Sequence, residues 1–218
     1  MAAADITRLM NNARARLAGA TDQLLQIELF NVMDEFFKGS NVWNEDIDII
    51  IPGQDPANTQ YDVTPSGPSL VDKLLWVFTV DPNEPTARGS QIGAFMSTPG
   101  VLTLANQPSS DATYRVTVAL TVQDPTKRDG YVTFPAWVLA KYRATILDGL
   151  LGNMMSQPQK PWTNTQLSVF HMRKFKNGVA AARVEWTRNN TYRRQAWVFP
   201  GGFSRGSQKG RSSWGGPA

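Results

Sequence analysis

The sequence predicts an α+β protein: an antiparallel helix bundle with an inserted small antiparallel β-sheet or barrel and an extended C-terminal arm. Three observations carry the prediction. Helical periodicity occupies residues 1–44 and returns over 131–189, strand-like alternation fills 45–130, and residues 190–218 lose both patterns while becoming basic and rich in glycine. The chain has 218 residues, enough to bury about 70 % of its unfolded surface in a self-supporting core.

Ile6, Leu9, Met10, Ala13 and Leu17 recur at helical spacing over 6–17, and Gly19 interrupts the run before Thr21 or Asp22 caps a second helix over 22–37. Leu25, Leu29, Val32 and Phe36 form its apolar stripe, Gln26, Asp34, Glu35 and Lys38 fall off it, and Gly39 is expected to end it. In the middle region Ile47, Ile49 and Ile51 alternate with Asp48 and Ile50, and Leu74 to Val80 is a dense apolar run. From Thr113 to Val122, Tyr114, Val116, Val118, Leu120 and Val122 face one way and Thr113, Arg115, Thr117, Ala119 and Thr121 the other, which predicts one dry face. Turn clusters at 52–58, 64–68, 81–90 and 106–111 separate five or six short strands, a spacing that favours antiparallel pairing over βαβ units.

Pro135 suits the start of a third helix over 135–155, striped by Leu139, Tyr142, Ile146 and Leu150. Gly149 and Gly152 inside it each cost about 1 kcal/mol relative to Ala, so another backbone should approach closely there. A fourth helix, 164–188, starts at Thr163 or Asn164 and carries the stripe Leu167, His171, Phe175, Val179, Ala182 and Trp186.

Composition narrows the function. The absence of cysteine removes disulfide scaffolds, thiolate metal sites and cysteine nucleophiles, and His171 alone cannot build a multi-histidine metal site. No basic leader followed by an apolar run, and no stretch of eighteen apolar residues, is present, so a soluble, unexported protein without a membrane partner is expected. The net charge of +4 conceals an asymmetry: residues 160–218 hold eleven Lys and Arg against Glu185 alone, a local balance of +10, which leaves −6 for residues 1–159. Such a segment attracts an anionic surface.

Few residues offer chemistry. His171 on an apolar stripe reads as a hydrogen-bonded core or interface residue rather than a catalyst. The Gly206 to Gly210 run lacks the spacing of a phosphate loop, and Glu45, Asp46 and Asp48 lack that of a calcium loop and read as a solvated strand entry. No catalytic, metal or cofactor site is expected. The remaining constellation is basic and aromatic: Arg183, Arg188, Tyr192, Arg193, Arg194, Trp197, Phe199, Phe203, Arg205, Lys209, Arg211 and Trp214. Arginine with aromatics anchors protein interfaces and also lines nucleic-acid grooves; no nucleic-acid motif accompanies it, which favours a protein partner over a nucleic acid. From Pro200 to Ala218, twelve of nineteen residues are Gly, Pro or Ser, too few apolar groups to fold alone, so the arm is expected to order on another surface.

Taken together, the opening Asp5-Ile6-Thr7-Arg8-Leu9-Met10, the β insertion, Phe134-Pro135-Ala136-Trp137, Asp148-Gly149-Leu150-Leu151-Gly152-Asn153-Met154-Met155, Lys160-Pro161-Trp162 and Phe170-His171-Met172-Arg173-Lys174-Phe175 resemble the head-to-tail adaptor proteins of tailed bacteriophages, of the podovirus tail tubular protein A type. The resemblance implies a non-enzymatic virion protein of the neck, assembled in the host cytoplasm as a dodecameric ring under the portal protein. It also implies that the helices make the ring, that the arm from Tyr192 to Trp214 binds the portal, and that the β region meets the next tail component, a nozzle or tail tube. Genomic DNA would pass through the channel without sequence-specific contacts.

Overall fold

The computed structural model describes residues 6–53, 59–80, 89–123 and 132–189. Its elements run α1 (Thr7–Arg14), α2 (Asp22–Ser40), β1 (Asn44–Ile51), β2 (Gln60–Asp62), β3 (Ser69–Thr79), β4 (Ala94–Thr98), β5 (Val101–Leu104), β6 (Ala112–Val122), α3 (Ala136–Ser156) and α4 (Thr165–Asn189). The protein is therefore α+β, with the strands inserted between the second and third helices.

The first helix ends three residues earlier than its apolar repeat. Leu17 is nonetheless buried, because its N–H bonds back to Ala13 and the turn into Gly19, at φ +88°, keeps it on the same side. Thr21 caps α2 by accepting the Leu24 N–H at 3.4 Å. The expected stop at Gly39 is corrected: α2 continues through Ser40 and ends at Asn41, whose left-handed φ of 56° supplies the turn. Gly39 answers a packing demand instead, since a Cβ there would lie 2.6 Å from Val179 of α4.

Two three-stranded antiparallel sheets form the insertion, ordered β1-β6-β3 and β2-β5-β4. Ile47 pairs with Val116 and Val77 with Val116 from the other side, so one face of the first sheet is aliphatic; Asp48 pairs with Arg115, and Trp76 with Thr117, on the opposite face. Loop segments link the two sheets. Segment 89–93 runs beside β3, with Ile92 N–H bonded to Val77 at 3.0 Å, and leads into β4, while Glu45 of β1 accepts the Ser66 N–H beyond β2 at 3.2 Å. Leu102 and Leu104 of the second sheet belong to the same buried apolar core as the aliphatic face of the first.

Three details differ from expectation. Strand β3 starts at Ser69 rather than Leu74, because β6 offers a partner along its whole length, with register shifts at Val71/Lys73 and Leu74/Trp76. The second face of β6 is not wet: Thr117, Ala119 and Thr121 are buried. Helix α2 covers that end, where Asp34 accepts the Thr121 hydroxyl at 2.8 Å and also holds Lys38 at 2.7 Å. Nor is the acidic strand entry merely solvated. Asp48 receives both Nε (2.8 Å) and Nη2 (2.7 Å) of Arg115, Asp46 accepts the Thr117 hydroxyl, and Arg115 holds the Asp48 carboxyl below its ordinary range.

Helix α3 is the centre of the helical layer. Its second half is buried nearly all round, through Ile146, Gly149 to Gly152, Met154 and Met155. A Cβ on Gly149 would stand 2.7 Å from Val32 of α2 and 2.8 Å from Phe175 of α4, and one on Gly152 would stand 2.6 Å from Met172. The expected approach of another backbone is corrected: the crowding at both glycines comes mainly from side chains of the neighbouring helices, the Met172 backbone N coming third at 3.1 Å from a Cβ on Gly152. Tyr142 departs from helical geometry (φ −113°, ψ 16°) and marks a kink in α3.

Candidate interaction surface at helix α4

Helix α4 begins with a local cap, Leu167 N–H donating to Asn164 Oδ1 at 3.1 Å, while the preceding turn is tied by the Thr163 hydroxyl to the Gln157 carbonyl at 2.6 Å. Its inward face consists of Ser168, His171, Phe175, Val179, Ala182 and Trp186. Leu167, expected on that face, is 44 % exposed. The reason is geometric: steps of four residues advance 400° around the helix, so a 167-171-175 row drifts off the core, whereas 168-171-175 stays on it. Ser168 can enter the core because its hydroxyl donates to the Gly152 carbonyl at 2.8 Å. His171 is buried with Nδ1 2.7 Å from Asp148 Oδ1, in agreement with a hydrogen-bonded core role.

Glu185 and Trp186 of α4 are fastened to the rest of the globule. The Trp186 ring stacks on Trp76 of β3 at 5.2 Å and 14°. At the preceding residue, Lys141 Nζ donates to Glu185 Oε1 and the Tyr142 hydroxyl donates to Glu185 Oε2 at 3.1 Å. The hydrogen bond from Lys141 lowers the Glu185 carboxyl below its ordinary range, and Lys141 rises correspondingly. Tyr142 is raised, first by desolvation and then by Glu185. Glu185, the lone acid of the basic third, is thereby used at the kink of α3.

The outward side of α4 divides into two rows. Leu167, Phe170, Lys174, Asn177, Ala181, Val184 and Arg188 are exposed and follow each other by three and four residues in strict alternation. Beside them run Val169, Arg173, Lys176 and Ala180. Lys174 lies over the Phe170 ring at 4.7 Å. Of the candidate partner-binding residues, Arg183 and Arg188 are placed on α4 and exposed; Tyr192, Arg193, Arg194, Trp197, Phe199, Phe203, Arg205, Lys209, Arg211 and Trp214 lie outside the described residues. The three-four row is not legible from periodicity, because Leu167 fits the spacing of the inward stripe as well as that of the outward row.

Among the described residues no group of acidic or histidine side chains could hold a metal ion, and no helix is long and apolar enough to cross a membrane. No protein-family model matches the chain, and no curated protein sequence matches it.

Proposed function

We propose that this protein is a structural virion component, a head-to-tail adaptor that forms a ring between the portal and the tail and docks on the portal with its C-terminal arm. The observation that carries this reading is the +10 balance of residues 160–218, interleaved with aromatics and following a helix whose Glu185 and Trp186 are held by Lys141, Tyr142 and Trp76. A basic, aromatic arm finds an acidic protein surface by electrostatic steering and holds it through aromatic anchors. Ordering an arm costs entropy and limits the affinity of each copy, but arms arrayed on one ring engage a symmetric template intramolecularly after the first, which makes the joint durable. Deleting residues 190–218 tests the reading. Capture of the protein by its portal ring should be lost while the globule stays folded; normal capture by the truncated protein would remove the arm as the anchor.

A second reading, a nucleic-acid-binding accessory protein using the same arm, rests on the same charge excess. Salt separates the two. Binding to DNA weakens steeply with ionic strength, by about 0.9 decades in affinity per decade of salt for each phosphate contacted, whereas an aromatic-anchored protein joint depends on salt only modestly.

A further inference from the structure

A pocket of about 180 Å³ opens where the first sheet meets the start of α3. Trp43, Leu120 and Phe134 make its apolar, buried floor, and the exposed turn Ser66-Gly67-Pro68 forms part of its rim. The sheet fixes these separate stretches of chain. Leu120 N–H donates to the Trp43 carbonyl at 2.8 Å, Ser69 pairs with Val122, and Ser69 N–H closes the rim turn on the Gly67 carbonyl at 2.8 Å. Asn44 donates to the Asn41 and Val42 carbonyls at 3.2 and 3.4 Å, which holds the strand entry in place. A guest therefore meets walls that are already formed, and binding costs little ordering entropy.

Glu45 is the one ionisable side chain in the lining. Its two carboxylate oxygens share a single donor, the Ser66 N–H at 3.2 and 3.3 Å, and among the described residues no lysine or arginine pairs with it. A carboxylate offers about four acceptor positions, so most of that capacity is unused. The neighbouring acids do not compete for the same guest: Asp46 and Asp48 lie on the other face of β1, with Thr117 and Arg115. The N-terminus of α3, beginning at Ala136 beside Pro135 of the lining, brings about half a positive charge, less than the full negative charge of Glu45. The pocket therefore prefers a cation. Its size is below the roughly 300–1,000 Å³ of sites for drug-sized ligands and suits one group of side-chain dimensions. The apolar floor matches the alkyl stem on which lysine and arginine carry their charge.

We propose that this pocket binds an alkyl cation, a guanidinium or ammonium head on an apolar stem, with Glu45 as the counter-ion and Trp43, Leu120 and Phe134 against the stem. The chemistry is that of an arginine or lysine side chain presented by another protein, or of a free aliphatic diamine. The site uses no residue of α4 and does not depend on the adaptor reading.

Isotope-labelled full-length protein is titrated with a capped Gly-Arg-Gly peptide, the same peptide with citrulline in place of arginine, putrescine and acetate, following backbone amides and the Trp43 indole N–H by NMR. The arginine peptide should shift Trp43, Ser66, Gly67 and Ser69 saturably, and the neutral citrulline peptide should bind about tenfold more weakly. Glu45→Gln should abolish that preference, so that both peptides bind alike, while its amide oxygen still accepts the Ser66 N–H. Gly67→Lys is the second variant. A Cβ there meets nothing within 4 Å, so the new side chain sets a tethered cation on the rim and should weaken arginine binding severalfold without disturbing the fold. Tighter binding of the peptide than of putrescine would assign the site to a protein partner, and the reverse to free diamines; both results uphold a cation site. Equal affinity for the arginine and citrulline peptides, tighter binding of acetate, or no localised shift with any cation at millimolar concentration would overturn it.

Discussion

The helical layer and the strand insertion are stabilised by different means. Around α3 the fit is one of volume: glycines at 39, 149 and 152 stand where side chains from α2 and α4 leave no room for a Cβ, and Phe175 fills the joint with no exposed surface. On the outer face of the first sheet the fit is one of charge and hydrogen bonds, with Asp48 on Arg115, Asp46 on Thr117, and Asp34 joining Thr121 to Lys38. Volume complementarity tolerates little change because the interior cannot relax into a void or around an inserted atom. A half-exposed ion pair such as Asp48–Arg115 tolerates more, since water replaces what is lost. The tightly packed helical layer is the one that carries α4, and α4 carries the candidate interaction surface.

The sharpest test of that contrast is Phe175→Ala, which leaves a cavity at the meeting point of three helices. Urea unfolding should show a loss of about 3–5 kcal/mol; a loss under 1 kcal/mol would mean that the helices are not packed there. Gly149→Ala should follow, at about 1–3 kcal/mol destabilising despite the better helix propensity of alanine, because the new methyl meets Val32 and Phe175. Gly67→Ala supplies its control: nothing lies within 4 Å of a Cβ there, and the change in stability should stay within about 0.5 kcal/mol.

The smallest effect belongs to the sheet. Asp48→Asn should cost at most about 1 kcal/mol at neutral pH, since nearly half of the Asp48 side chain is exposed and solvent screens the pair. Its pH dependence has a definite sign. Arg115 lowers the folded-state pKa of Asp48, so the pair stabilises the protein fully above the ordinary aspartate value, about 4, and the contribution fades as pH falls from there through the lowered value. Melting curves of the wild-type and Asp48→Asn proteins should differ at pH 7 and converge in acid. A difference that persists unchanged well below pH 3 would assign the effect to something other than the ion pair.

Much of this was legible in the chain. The stripe Leu25, Leu29, Val32, Phe36 is fully buried, Thr21 and Asn164 cap the helices they precede, and the β1 alternation of Ile47, Ile49 and Ile51 with Asp48 and Ile50 survives in the burial of the strand. These are local rules of period and capping, and local rules act before tertiary packing. The short strands β2, β4 and β5 carried no comparable signal: at three to five residues they are too brief to display a period, and they exist because β5 pairs with both β2 and β4. Gly39 was misread as a stop because a cap glycine and a packing glycine look alike until the opposing helix is known.

The candidate surface divides in the same way. Sequence alone settles the charge asymmetry, since it is a count, and it settles the absence of thiol chemistry. Which side of α4 remains outside, that Leu167 lies there while Ser168 goes in, and that Glu185 is used by Lys141 and Tyr142, were decided only when α3 and α4 met. A helical period fixes the spacing of a face but not its direction; the direction comes from the neighbour that excludes water from it.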